Sequence, residues 1–395
     1  MGNIVCVTPD RDGYIKPIEK FLNHDLIFVR TPNSNEILSY NPLCVLFLAD
    51  WIYEYTNTVN ELKSKNIPTI LMMDGTIELK NLIENPRWTY GNNPAPYFPV
   101  YCDKVLVPGK STFRFLEFFG CQGKCEITGQ PRFDTYVEIL KNLKTRTNNG
   151  RVLGVMSGNT PGYTDLQIEE TIKLFEDLHH YCDAKGIKVR WRLRKGFQEK
   201  MNVKVENDNS PSLQDFINTV DAIISQPSTA AYEAMIMGVP VALADYNIAP
   251  NYMTASWFIH SSDQIDRVLK EIFTPSSFKI LNQKQILEDS ISFIGKSAKI
   301  TAGVVNDLAD LKENNNFNTQ DVPTYLFAKH IGSSENSNYE FIEPFDNKKG
   351  RFSESFLYEE YISKQKKFIN ELEQKLSRRN LGFWIEKIIR KITEK

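Results

Sequence analysis

The chain has 395 residues, 41% hydrophobic and 24% charged, which is enough apolar material for two domains and an appendage and too much for a disordered or fibrous protein. A formal net charge of −2 provides no basic field to attract nucleic acid, and no run of about 18 apolar residues is present to cross a membrane as a helix. Six scattered cysteines (Cys6, Cys44, Cys102, Cys121, Cys125, Cys182), several inside apolar runs and without a secretory signal ahead of them, point to a reducing, cytoplasmic setting.

In chain order, 3–7 reads as a strand, 8–13 as a polar turn and 14–22 as a helix. Further strands are expected at 26–29, 43–48, 69–73, 104–107 and 126–128, with a helix at 52–65. Strands and helices alternating at this spacing imply a Rossmann-like parallel sheet covered on both faces. The first turn lacks the three-glycine fingerprint, so no NAD site is expected. Asp50 in FLADW and Asp74 in MMDGT follow strands and should project at the carboxyl edge of the sheet, where ligands bind. Asp74 is the favoured general base: Met72 and Met73 would desolvate it and raise its pKa, Gly75 permits a sharp turn, and Glu78 is near. Asp74–Gly75 also fits a plain turn, and Asp50 an N-cap. Residues 85–99, NPRWTYGNNPAPYFP, form either a packed connector or an acceptor-facing loop in which Trp88, Tyr90 and Tyr97 would stack on a sugar. Cys121 and Cys125 make a C-x-x-x-C, but no second Cys or His pair accompanies them, so a zinc site is not expected there.

The stretch 128–134, TGQPRFD, is a Gly/Pro turn in which Asp134 caps or neutralises a helix start. The polar run 145–150, TRTNNG, then suits a boundary between a first domain at 1–147 and a second at 148–312. The second opens with a strand at 151–156, a loop SGNTPGY whose Gly158 N–H could meet phosphate, and a helix from Thr164 or Asp165 to about 184. A strand at 188–193 delivers the cations Arg194 and Lys195 to the carboxyl edge, with solvated charge as the alternative. Ser210-Pro211-Ser212 starts a helix at 213–219.

The chain is organised around 221–246, DAIISQPSTAAYEAMIMGVPVALADY. A buried strand at 221–225, a loop at 226–228, a helix at 229–237 and a strand at 239–244 make one unit with matching start and stop signals. The helix N-terminus would lie at a strand's carboxyl end, where free N–H groups and the helix dipole favour a phosphate. Glu233, one turn on, would reach a ribose diol. An ordinary buried unit with a capped helix has the same signals.

This segment, its GVPV continuation and the earlier TGQPRFD turn, in that order, resemble the GT-B glycosyltransferases and their relatives, the CDP-glycerol glycerophosphotransferases and non-hydrolysing UDP-N-acetylglucosamine 2-epimerases, over about residues 1–310. The resemblance implies two Rossmann-like domains facing a cleft, with a C-terminal helical extension. It also implies nucleotide and donor contacts from Gln226, Ser228, Thr229 and Glu233, with Gly158, Arg194 and Lys195 adding to them. Where these families carry Arg-x-His-Pro, this chain reads RWRLRKG, so a histidine mechanism at that position is not available. No Asp-x-Asp flanked by strand signals occurs, so neither an essential metal nor a cofactor is expected, and helix N-terminus and cations would neutralise the phosphates.

Beyond 246 the pattern weakens: a loop at 247–256, helix at 261–273, helical composition at 283–300 and a connector at 313–350. The tail at 351–395 holds a long charged helix at 354–378 and, after a break at Gly382, a helix with Trp384, Ile385, Ile388, Ile389 and Ile392 on one side and Lys387, Arg390, Lys391 and Lys395 on the other. Such a helix either lies on an anionic membrane surface, through 378–395, or docks on protein. The expected function is transfer of a sugar from a nucleotide-activated donor to a polysaccharide or lipid-linked glycan acceptor in bacterial surface polysaccharide synthesis. The alternatives are a polyol-phosphate transferase or sugar-nucleotide epimerase of the same fold, and a non-catalytic nucleotide-binding scaffold.

Overall fold

The computed structural model describes residues 2–8, 12–77, 85, 96–97, 100–118, 121, 123–137, 151–160, 162–247 and 253–319. Expectations for Glu78, Trp88, Tyr90, most of the connector and the whole tail lie outside them.

Six strands form the first sheet: β1 (Asn3–Val7), β2 (Asp25–Val29), β3 (Pro42–Phe47), β4 (Thr69–Met72), β5 (Lys104–Val107) and β6 (Cys125–Ile127). All pair in parallel, in the order β2-β1-β3-β4-β5-β6. Strands such as NIVCV and TILM are apolar at consecutive positions because both faces are covered. The connecting helices described are α1 (Asp12–Ile15), α2 (Ser34–Ser39), α3 (Tyr53–Ser64) and α4 (Lys110–Phe118). The helix expected over 14–22 divides at Pro17, which lacks an N–H, and continues as a 3₁₀ segment Lys16–Phe21.

A second parallel sheet has the order β11-β10-β9-β7-β8, with β7 (Val152–Met156), β8 (Lys188–Arg192), β9 (Ala222–Ser225), β10 (Val241–Ala244) and β11 (Trp257–Ile259). One face buries α5 (Asp165–Ala184) and α8 (Ile265–Phe273), through Leu174, Phe175, Leu178, Val268 and Ile272. The other buries α6 (Leu213–Asn218) and α7 (Thr229–Ile236), through Phe216, Ile217, Ala231 and Ala234. Both sheets reverse their winding beside their first strand, at β1/β3 and β7/β9, and such reversals open a crevice at the carboxyl edge.

The helical composition of 283–300 resolves into two helices, α9 (Ser277–Ser290) and α10 (Ser297–Glu313), separated around Gly295, whose φ is 87°. Helix α10, expected within the second domain, instead buries Ala298, Ala302, Val305, Leu308 and Ala309 against Ile4, Cys6, Cys44 and Leu46 of the first sheet. Its stripe of small residues lets the helix lie close to the strands. Conversely Phe133 and Tyr136, ahead of the boundary expected at 147/148, are buried in the second core.

The TGQPRFD turn makes this crossing possible. Asp134 caps a helix start as expected, but that of α10, 163 residues downstream: Oδ1 accepts from the N–H of Gly295 (2.7 Å) and Ser297 (3.1 Å), and Oδ2 from Ala298 (2.8 Å). Gly129 has φ 78°, and a Cβ there would stand 2.2 Å from the Ser292 carbonyl oxygen, so no larger residue fits. Gln130 Nε2 donates to the Met73 carbonyl (2.7 Å), fastening the turn to the end of β4.

Candidate functional site

At the reversal of the second sheet, the loops leaving β7 and β9 diverge. Gln226 lies on the floor between them, buried: its Oε1 accepts from Gly158 N–H (3.0 Å) and its Nε2 donates to Thr171 Oγ1 (3.3 Å). These bonds use the Gly158 N–H and the Gln226 amide, both expected to contact a nucleotide, to hold the two loops together. Next to them Ser228 is the N-cap of α7, yet its side chain makes no cap bond; its Oγ lies 3.5 Å from Ser225 Oγ. The first-turn N–H groups of an otherwise buried, eight-residue helix are thus left without a side-chain cap at the sheet's carboxyl edge.

Across from this helix start lies the turn after β4 in the first sheet. A Cβ added to Gly75 would stand 2.7 Å from Thr229 Oγ1, so Gly75, the residue after Asp74, meets the α7 N-terminus across the two halves. Asp74 is half-buried here. The turn that follows Asp74 and the helix start at Thr229, each expected on separate grounds, are therefore neighbours.

Glu233 has company that its sequence position did not reveal. It accepts a short hydrogen bond from Tyr136 Oη, and its Oε1 lies 3.6 Å from Arg132 Nη1. Arg132 also stacks over Tyr14 at 4.8 Å and donates to its hydroxyl (3.1 Å), so one guanidinium joins both halves and the TGQPRFD turn. Burial, then the neighbouring carboxylate, pushes the Tyr136 phenol far above its ordinary value, keeping it a proton donor at every working pH. Glu233 is held for a partner in its own chain, and a ribose would have to share it.

Arg194 and Lys195 are exposed in the turn after β8, and the Arg194 N–H donates to Ser157 Oγ (2.7 Å), next to Gly158. The preceding arginines are occupied: Arg190 pairs with Asp208 and Arg192 donates to the Ser210 carbonyl.

Asp50 does not project into a cleft. It is fully buried, and its Oδ2 accepts from the N–H of Tyr101 (2.7 Å) and Cys102 (3.1 Å), fixing the approach to β5; among the described residues Oδ1 has no partner. Burial pushes its pKa up to about 6, against the lowering pull of those N–H groups and Lys124. Tyr97, expected to stack on an acceptor, is likewise buried, edge-on to Trp51 with ring centroids 4.7 Å apart.

The β10 end holds further surprises. Asp245 is buried and accepts from both N–H groups of Asn247, while Tyr246 donates to Asp177 (3.0 Å). His260 immediately follows β11 at the carboxyl edge, stacked on Phe258 with its Nδ1 3.2 Å from the Asp245 carbonyl. The sequence pattern did not mark this histidine as a strand-end residue, because a three-residue strand such as Trp257–Ile259 carries too little periodicity to be seen beforehand. All six cysteines are free and buried, which pushes the Cys121 thiol up to about 11 and Cys182 to about 12, the behaviour of core thiols. Among the described residues no helix is long and apolar enough to cross a membrane.

No protein-family model and no curated protein matches this sequence. Solved structures do. An MnaA–UDP co-structure from S. aureus aligns with a TM-score of 0.54 at 12% identity, covering 81% of this chain and 99% of that one. UDP-GlcNAc 2-epimerase from Neisseria meningitidis, bound to UDP-GlcNAc, aligns at 0.52 and 12% identity over 78% of this chain and 100% of that one. The corresponding enzyme from Methanocaldococcus jannaschii, in complex with UDP-GlcNAc and UDP, aligns at 0.52 and 11% identity over 77% and 99%. The two parallel sheets, each with a reversal of winding, and these alignments show that the chain has the GT-B fold.

Proposed function

We propose that the chain is an enzyme acting on a nucleotide-activated sugar, with the diphosphate received at the N-terminus of α7. The observation that carries this reading is the meeting of that uncapped helix start with the Asp74–Gly75 turn of the opposite half. Helix N-termini with free N–H groups attract phosphate, and a carboxylate facing them across the crevice would lie beside the sugar that the phosphate carries. The binding set is then Ser228 and Thr229, assisted by Arg194 and Lys195, with Asp74 as the acid or base; Gln226 and Gly158 shape the floor, and Glu233 with Arg132 and Tyr136 couples the donor side to the junction. No metal or cofactor enters this scheme. Structural neighbours named for UDP and UDP-GlcNAc support a sugar nucleotide as the ligand class.

Within that class the finer reading is glycosyl transfer to a glycan or lipid-linked acceptor in bacterial surface polysaccharide synthesis. A second reading, epimerisation, is favoured by His260 at the β11 end, which adds a histidine at the carboxyl edge of the second sheet, the edge at which α7 begins. Titrating the chain with CMP-, CDP-, UDP- and GDP-linked sugars, with calorimetry for binding and chromatography for turnover, tests both. Conversion of the sugar in the absence of any acceptor identifies the epimerase; donor binding with turnover only on adding a glycan acceptor identifies the transferase; no binding of any donor removes the proposal. A cytoplasmic enzyme held at the inner membrane face by 378–395 completes the transferase reading. Co-sedimentation with anionic vesicles, comparing the full chain with one lacking 382–395, tests it, and equal binding by the two refutes it.

A further inference from the structure

At the amino edge of the first sheet, away from the crevice, a histidine and two carboxylates converge. His24 precedes β2, while Asp310 and Glu313 lie three residues apart on one face of α10, in its last turn. One ligand atom from each lies within 4.8 Å of the other two, and His24 Nε2 is 3.6 Å from Asp310 Oδ1. That separation exceeds a hydrogen bond but is close to the roughly 3.3 Å between two ligands that each stand about 2.0–2.1 Å from a tetrahedral zinc ion.

Three observations set this group apart from a chance acidic cluster. The His24 side chain is only 7% exposed, yet among the described residues neither of its ring nitrogens has a hydrogen-bond partner. A buried imidazole left so is costly unless another group satisfies it. Its position is also fixed: Asn306, one turn before Asp310, accepts from the Asn23 N–H (3.0 Å) and donates to the Phe21 carbonyl (3.1 Å), clamping the loop that carries His24 onto α10. Finally, two carboxylates in the last turn of a helix face the negative end of its dipole, an arrangement that a cation would offset.

We propose that His24, Asp310 and Glu313 bind a divalent transition-metal ion of the zinc class, with water as the remaining ligand. The imidazole disfavours calcium and magnesium, which take oxygen ligands. Asp310 and Glu313 are exposed, so the ion has an open approach and the Glu313 side chain is free to rotate into place. The ion's role is structural: it would staple α10, the helix that crosses from the second half to the first, to the strand-edge loop of the first sheet. The site is independent of the crevice chemistry proposed above.

Full-length protein stripped with a chelator is titrated with zinc against a chromophoric competitor and, separately, with cobalt, whose visible absorption reports tetrahedral coordination. One equivalent bound is expected, without the intense thiolate charge-transfer band that cysteine ligands would give. Asp310→Asn and Glu313→Gln should each weaken zinc binding by at least the ~10–100-fold seen when supporting groups around a metal are lost. Because both side chains are exposed, unchanged circular dichroism of the stripped variants is expected and keeps the comparison interpretable. Zinc should also raise the melting temperature of the parent chain and not of the Asp310→Asn, Glu313→Gln double variant. Absence of binding, equal binding by parent and double variant, or a thiolate band would overturn the site.

Discussion

The Asp134→Ala substitution tests the junction most directly. Asp134 supplies the start of α10 with three acceptor contacts, at 2.7, 3.1 and 2.8 Å, while Lys296, the residue at the N-cap itself, contributes no side-chain bond. Loss of a helix cap costs about 0.5–2 kcal/mol, and loss of a carboxylate beside a helix N-terminus another ~0.3–1 kcal/mol, more where partly buried. The sum is about 0.8–3 kcal/mol, equivalent to a roughly 4- to 150-fold change in an opening equilibrium. Since α10 buries five residues in the first core, that cost should fall on the helix and its crossing before it reaches either sheet. Hydrogen exchange read by mass spectrometry should show protection of 297–313 reduced by that factor, with β7 and β9 unaffected, and urea unfolding should shift in step. Asp134→Asn, which keeps one carbonyl acceptor, should lose about half as much. An Asp134→Ala protein within about 0.5 kcal/mol of the parent, with 297–313 still protected, would refute the account of TGQPRFD as a cross-chain cap.

Asp50 predicts a pH dependence. Its folded pKa of about 6 lies above the ordinary 3.8, so the folded state binds the extra proton and stability from this group falls as pH rises from about 4 to 6; Asp50→Asn, with its carbonyl accepting from Tyr101 and Cys102, should flatten that decline by up to about 3 kcal/mol, and parallel urea midpoints at pH 4, 5, 6 and 7 would contradict it. Gly75→Ala should cost at most about 1 kcal/mol of stability, because its one close neighbour is the Thr229 hydroxyl, yet lower donor affinity measurably by calorimetry; unchanged affinity would separate this turn from the ligand. Asp74→Asn should retain donor binding while turnover falls about a hundredfold or more, and near-normal turnover would remove Asp74 as the acid or base.

Much of the fold was legible because it depends on local pattern. Runs such as NIVCV and AIIS, each bounded by turn residues, announce strands buried on both faces, and their alternation with helices leaves a parallel sheet as the natural outcome. The strand-loop-helix unit around Ser228 was likewise visible, since capping, glycine and proline signals act within a few residues of the helix they delimit. Short elements escaped. β11 has three residues and α2 six, less than the length over which either period can repeat, and His260 went unrecognised with the former.

Only tertiary structure decided what each candidate side chain touches. Hydrophobic burial fixes which residues go inside but is indifferent to partner, so the sequence marked 283–300 as helical in composition but did not show where α10 begins and ends or that its small-residue face belongs to the first sheet. Hydrogen bonds are directional and join groups brought together by packing: Asp50 became the internal acceptor for a loop 51 residues on, Gln226 closed the floor onto Gly158, and Glu233 took Tyr136 and Arg132 as partners. The same long-range closure set Gly75 against Thr229, because the pairing of two strand ends from different sheets depends on how the halves dock and has no counterpart in the spacing of residues along the chain.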